Sequence, residues 1–307
     1  MKSIQKAFMR IQTSAFLLGV FLVIPGPAFA DSRQQPDLAF TVTEVVKGIY
    51  MLQGKGGNIG VSVGEDGMLV VDDEYDSMSE ALAAELKKLG GDNLRFLLNT
   101  HWHGDHTGGN KVFGKRAPIV AHTNVRKRLM SRQEIKHFNT VQQPQPKEAL
   151  PIITFDDLLS IHFNGEEIKA LHFERGHTDG DIIVIFSGSN VVHMGDHYFA
   201  GMFPFVDLAS GGNVLKLIRN IDAILDLLPE DVIIIPGHGP LSNIQNLRSY
   251  RDMLVGTTEY VRKLRDQGMD LKHIQAKGLE SKWEAWSKGF IDTQSWIEFI
   301  YNSMETG

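Results

Sequence analysis

The 307-residue sequence contains no cysteine. Thiolate is thereby excluded as nucleophile and as metal ligand, disulfides are excluded as staples, and any reactive site has to be built from His, Asp and Glu. Basic residues are also scarce: 31 Lys and Arg stand against 37 Asp and Glu, a formal net charge of −6. That balance disfavours nucleic acid as a partner, because such binding rests on phosphate contacts from Lys and Arg. No linker and no low-complexity run divides the chain. A chain of this size buries an adequate core without cross-links.

What is present begins with an export signal over residues 1–30. Lys2, Lys6 and Arg10 precede an acid-free apolar run over residues 15–24, and Ala28-Phe29-Ala30 forms a cleavage site. The run is short for a bilayer span. Cleavage after Ala30 is expected, which places the mature protein in a bacterial periplasm or outside the cell with no stable membrane span; an uncleaved anchor is the alternative. The segment holds three of the 31 basic residues and none of the 37 acidic ones, so its removal takes the net charge from −6 to −9.

Residues 31–41 read as a flexible mature N-terminus. Beyond them, apolar and β-branched runs over 42–52, 59–63 and 68–71 are punctuated by Gly54-Lys55-Gly56-Gly57-Asn58 and Gly64-Glu65-Asp66-Gly67, the pattern of antiparallel hairpins. A helix is expected over 77–89, with Met78, Leu82, Leu86 and Leu89 on one face, then strands at 94–98 and 118–122. Residues 124–147 read as a helix and an irregular excursion bordering the cleft, with their basic residues as a solvated face. Strands resume at 158–163, 168–173, 181–186 and 191–194, followed by a helix at 211–228 and a buried strand at 231–235. Residues 243–307 form a helical extension in which Trp283, Trp286, Phe290, Trp296 and Phe299 are expected to pack against the body. The order predicts an α/β protein with two sheets face to face and helices outside.

Chemistry concentrates in His101-Trp102-His103-Gly104-Asp105-His106, directly after Phe96-Leu97-Leu98. Imidazole nitrogen and carboxylate oxygen are ligands for zinc and similar divalent ions, and a strand ending in a tight loop aims alternate side chains into one cleft. His101 and His103 point to one side; Asp105 and His106 lie where the chain turns and serve a second ion close by. Three later stretches also end apolar strands: Gly176-His177-Thr178-Asp179-Gly180-Asp181, Gly195-Asp196-His197 and Pro236-Gly237-His238-Gly239-Pro240. His122, His137, His162, His172, His193 and His273 lack such surroundings and read as core or surface residues.

The succession HxHxDH, GHT, GD and PGHG resembles the metallo-β-lactamase superfamily, over about residues 42–242. The resemblance implies an αββα sandwich of two mixed sheets with a C-terminal helical extension over 243–307. It also implies two divalent metals, zinc in the first place with iron or manganese as alternatives. His101, His103 and His177 resemble the ligands of the first metal, and Asp105, His106 and His238 those of the second. Asp196 matches a bridging aspartate found in glyoxalase II-like and lactonase-like members, where one group of true β-lactamases has cysteine. Asp72 matches an aspartate behind the ligands.

The implied activity is hydrolysis of a small-molecule carbonyl substrate, a β-lactam or a lactone, by a hydroxide held between the metals. Catalytic roles are expected for Asp105 in proton relay and for His197 in substrate or oxyanion contact. Residues 198–207 read as an apolar stretch lining the pocket. Thioester, phosphodiester or sulfate ester hydrolysis, iron-dependent redox chemistry and non-catalytic metal or ligand binding stay open as alternatives, as does the oligomeric state.

Overall fold

The computed structural model describes residues 39–305, so the export leader and most of the 31–41 segment lie outside the described residues. No described helix is long and apolar enough to cross a membrane. The chain runs β1 (Thr41–Val46), β2 (Ile49–Gln53), β3 (Ile59–Gly64), β4 (Gly67–Val71), α1 (Ser79–Gly90), β5 (Leu94–Leu98), α2 (Gly104–Thr107), α3 (Asn110–Phe113) and β6 (Ile119–His122). There follow α4 (Thr123–Leu129), β7 (Gln133–Ile135), β8 (Thr140–Gln142), β9 (Ile153–Phe155), β10 (Leu158–Phe163), β11 (Glu166–His172), β12 (Ile182–Phe186) and β13 (Val191–His193). The last elements are α5 (Val214–Leu227), β14 (Ile233–Ile235), β15 (Ser242–Asn243), α6 (Ile244–Asp266), α7 (Leu271–Lys277) and α8 (Thr293–Ser303).

Two mixed sheets result. One has the order β1-β2-β3-β4-β5-β6-β9 and the other β10-β11-β12-β13-β14-β15. The strand period of two assigns each residue to a layer. Leu69 and Val71 of β4 face the second sheet and pack with Ile168, Val184 and Phe186, whereas Met68 and Val70 face outward onto Leu82 and Leu86 of α1. On the far side Ile183, Val192 and Ile234 pack under Leu217 and Ile221 of α5, Leu254 of α6 and Trp296 of α8. The layers are helix, sheet, sheet, helix, as expected.

Three local differences from the sequence reading have simple causes. The run 42–52 is two strands, because Gly48 turns the chain at φ +81° and a Cβ there would stand 2.9 Å from the Val63 carbonyl. β1 begins at Thr41, inside the segment expected to be flexible. The excursion after α4 is an ordered hairpin, β7 with β8, and its basic neighbourhood is not all solvated: Arg128 grips both oxygens of Asp179 at 2.7 Å, and Arg126 donates to the Pro151 carbonyl at 2.6 Å.

Strand direction places the site. β4 pairs in parallel with β5, and β13 in parallel with β14. These two parallel pairs, one from each sheet, discharge their C-terminal loops at a shared rim, which delivers Asp72, the His101–His106 turn, Asp196 and His238 to one place.

Candidate metal centre

The first cluster is built from ring nitrogens whose protons are committed elsewhere. Thr100 donates through Oγ1 to Asp72 Oδ2 at 2.7 Å, so His101 Nδ1, 3.1 Å from the same hydroxyl, is the donor to it and Nε2 is left bare. His177 Nδ1 lies 2.7 Å from the Phe205 carbonyl, which can only accept; its Nε2 is bare in turn. His103 faces Asp207 Oδ2 with Nε2 at 3.1 Å and is left with Nδ1. The three bare nitrogens converge, with His103 Nδ1 3.1 Å from His101 Nε2 and 2.8 Å from His177 Nε2. Three lone pairs facing one another without a proton call for a cation, and nitrogens around a tetrahedral zinc stand about 3.3 Å apart. Burial and the surrounding imidazoles hold His101 well below its usual pKa, and burial also lowers that of His177, which favours the neutral, ligating form of both.

The second cluster sits across Asp196. His106 puts Nδ1 2.7 Å from Asp72 Oδ2, which turns Nε2 towards Asp105 Oδ2 at 3.6 Å and His238 Nε2 at 3.4 Å. Asp105 Oδ2 is 3.3 Å from His238 Nε2. Here burial lowers the imidazole pKa values, but carboxylates outweigh it: Asp196 and Asp105 raise His238 to about 9, and with Asp72 they raise His106 well above its usual range. Burial pushes the Asp105 and Asp196 carboxyls up, and the imidazolium of His106 reverses this, so both carboxyls stay ionised.

Asp196 divides its oxygens between the clusters. Oδ2 lies 3.3 Å from His177 Nε2 and 3.7 Å from His101 Nε2, while Oδ1 lies 3.2 Å from His106 Nε2 and 3.5 Å from His238 Nε2. Oδ1 is buried and without a hydrogen-bond partner among the described residues. An ionised, buried oxygen in that state is expensive unless a cation meets it. His101, His103, His177 and Asp196 form one potential ligand set, and Asp105, His106 and His238 the other. Nitrogen and oxygen donors at this density fit two divalent metals.

The backbone is shaped to the side chains. Asp72 and Glu74 both adopt φ +65°, a conformation costly for residues with a Cβ, and both face the site. Glu74 accepts from Gly56 N at 2.7 Å and so draws the β2–β3 loop onto the centre; Gly57 in that loop lies flat on His106, where a Cβ would come within 2.1 Å of the ring.

A cavity of about 480 Å³ opens onto this centre. Asp105, His103, Asp196 and His238 form its floor, Lys55 and Tyr75 line it from the loops after β2 and β4, and Ile135, Phe138, Phe205 and Phe290 form an apolar wall. Among the described residues lining it, Lys55 is the only Lys or Arg.

The residues expected to ligate metal are thus brought together, and Asp72 stands behind His106. His197 is not brought to the cavity. It is fully buried, edge-on to Phe173, with Nε2 3.4 Å from Asn220 Nδ2, and burial lowers its pKa to about 3. The expected contact with substrate is corrected accordingly. The stretch 198–207 is mostly core, since Tyr198, Phe199 and Phe203 are buried, and Phe205 alone of it lines the cavity. Phe290 departs from the expectation of simple packing, being exposed at the cavity rim. Sequence reading missed Asp207, Thr100, Tyr75, Lys55 and Phe138.

Residues 55–264 match the sequence profile of the metallo-beta-lactamase superfamily. The chain belongs to that superfamily. It is 26% identical over 186 residues to a probable metallo-hydrolase of Methanocaldococcus jannaschii, covering 57% of this chain and 84% of that one. It is 28% identical over 176 residues to a probable metallo-hydrolase of Bacillus subtilis, covering 56% and 80%. Among solved structures, DIM-1 metallo-beta-lactamase superposes with a TM-score of 0.57 at 19% identity, covering 70% of this chain and 96% of that chain. The sec-alkylsulfatase Pisa1 from Pseudomonas sp. superposes with a TM-score of 0.63 at 14% identity, over 86% of this chain and 50% of that chain. At these identities the structural matches speak for the fold.

Proposed function

We propose that this superfamily member is an exported dimetal hydrolase, loaded with zinc, that opens an activated carbonyl such as a lactone or β-lactam. The observation that carries the reading is the division of Asp196 between two complete ligand sets at the floor of a cavity. A metal pair supplies an activated water and a Lewis acid when bound. The chain does the rest. Asp196 holds the two sets in register, and Asp72, Asp207 and the Phe205 carbonyl fix the tautomers of His106, His103 and His177. Asp105, which lines the cavity, orients the attacking water and passes a proton from it to the leaving atom. A single lysine in the lining suits a substrate with one negative charge and disfavours a phosphodiester polymer. The Lys2–Ala30 leader supports export to a periplasm.

A second reading, hydrolysis of a sulfate ester, is favoured by the same single lysine beside an apolar wall. The test is turnover of a chromogenic cephalosporin, a lactone panel and an aryl sulfate by the metal-loaded protein, with metal content measured on the same sample. Lactone or cephalosporin turnover that is lost on chelation and in His101→Ala supports the proposal. Two bound metals with turnover of the sulfate alone would replace it by the second reading.

A further inference from the structure

The outer part of the cavity wall is made by segments of the chain that lie outside the two-sheet sandwich. Phe138 belongs to the turn between β7 and β8, and Phe290 to the segment leading into α8. Phe138 is 41% exposed and Phe290 48%, yet their rings approach to 6.1 Å between centroids. Phe138 also packs on Phe205 at 4.8 Å, and Phe290 stands edge-on to His238 at 5.4 Å and to Phe199 at 5.7 Å. Phe205 completes the series, 5.7 Å from the rings of both His103 and His177. An aromatic surface thus runs without a break from the ligand imidazoles to the cavity mouth. Folding the sandwich does not call for two exposed phenylalanines at that mouth, and contiguous exposed apolar surface beside a polar floor marks a ligand site.

We propose that the substrate carries a flat aromatic group on the acyl side of its scissile bond, received by Phe138, Phe205 and Phe290, and that Phe138 and Phe290 set this specificity. The inference rests on the carbonyl-hydrolase reading above. Ring faces and edges discriminate in favour of an aromatic guest: an aryl group gains edge-to-face contacts beyond its buried area, whereas a saturated ring of similar size gains area alone. With its wall used by the acyl group, the cavity leaves Lys55 and Tyr75, which flank Gly56 and Asp105, for a carboxylate or the leaving group. In the reaction water gives OH to the acyl carbon and H to the leaving oxygen or nitrogen as the acyl C–O or C–N bond breaks. The product is a carboxylic acid whose acyl chain bears the aryl group, with the leaving group still attached where the substrate is a ring and released as an alcohol where it is an ester. The C-terminal extension thereby becomes part of the site through Phe290.

The test compares phenylacetyl, cyclohexylacetyl and acetyl esters of one alcohol with the metal-loaded enzyme, in wild type, Phe138→Ala, Phe290→Ala and Phe290→Leu. Binding of phenylacetate and cyclohexylacetate is titrated by calorimetry alongside. The expected result is a phenylacetyl preference in kcat/KM over both other esters, with the phenylacetyl to acetyl ratio falling about tenfold in each alanine variant. Phe290→Leu, which keeps apolar area and removes the ring, is expected to abolish the preference for phenylacetyl over cyclohexylacetyl. Ester hydrolysis with ratios that none of the variants moves overturns the inference and leaves the hydrolase reading standing. No turnover of any ester here or of the lactones and cephalosporin above, together with tighter binding of phenylacetate than cyclohexylacetate that the variants abolish, overturns the hydrolase reading and supports the aromatic site.

Discussion

Asp72 Oδ2 lies 2.7 Å from Nδ1 of His106, and the same carboxylate accepts from both the amide and the hydroxyl of Thr100, each at 2.7 Å. One buried group thus fixes the tautomer of a ligand in the second cluster and, through Thr100, that of His101 in the first. Its left-handed backbone shows that the geometry is held against a conformational cost. Asp72→Asn preserves shape and removes the acceptor charge. Metal affinity at the His106 site is expected to fall about 10- to 100-fold. Stepwise metal titration checks this, and two sites of unchanged affinity would show that the carboxylate does not orient the ligand.

Gly237 precedes His238 and backs onto the bridge. A Cβ there would stand 2.1 Å from Asp196 Oδ1 and 2.5 Å from the Gly195 carbonyl. Gly237→Ala must therefore displace the oxygen that faces His106 and His238. Turnover is expected to fall by about 10²-fold, the scale of a 1 Å misplacement in a site. The fold should survive, because the clash is local, so circular dichroism like that of the wild type with lost bridging is the expected pair of observations. Full activity would mean that the β14 loop yields without cost.

Much of this was legible because the ligands announce themselves locally. His101, His103, Asp105 and His106 lie within six residues, and each later ligand closes an apolar strand. What was not legible depends on distance or on rotation. Asp207 supports His103 from 104 positions away with no motif around it, and Phe290 lines the cavity from the segment between α7 and α8, far along the chain from every ligand. His197 failed for a rotational reason. Residues Gly195–His197 form a 3₁₀ turn, in which successive side chains diverge by a third of a circle, so the neighbour of a ligand points elsewhere. The layers were recoverable from periodicity, whereas the turn at Gly48 inside an apolar run was not.

Proton competition gives the metal site a pH dependence. Burial lowers the His238 pKa, but Asp196 and Asp105 outweigh it and raise it to about 9, so the metal-free centre carries a proton there at neutral pH. A metal binding at the second set has to release that proton and the one that His106, raised well above its usual range, also holds. Affinity at this site is expected to rise with pH up to about 9 and to fall by between about tenfold and a hundredfold for each unit below. Metal binding in buffers of different ionisation enthalpy reads the released proton directly; a flat affinity between pH 6.5 and 9 would contradict the assignment.

His122 makes a separate prediction about acid stability. Its ring stacks on His172 with centroids 3.8 Å apart, and its Nδ1 accepts from Asn124 N at 3.2 Å to cap α4. A proton on that nitrogen destroys the cap and places charge beside a second imidazole. Burial and His172 accordingly lower the His122 pKa to about 4, against weaker opposing pulls from Asp156 and Asp179. The sign follows from linkage: below its ordinary value of about 6.5 the unfolded chain takes up a proton that the folded chain refuses until about 4. Stability is lost as pH falls through that window, by on the order of 2 kcal/mol from this residue. Asn can supply the same cap and cannot ionise. His122→Asn should therefore unfold in denaturant much like the parent at pH 7 and flatten the decline between pH 6.5 and 4. The difference between the two curves isolates the stacked pair of His122 and His172, and parallel curves would show that the His122 ring accepts a proton without cost.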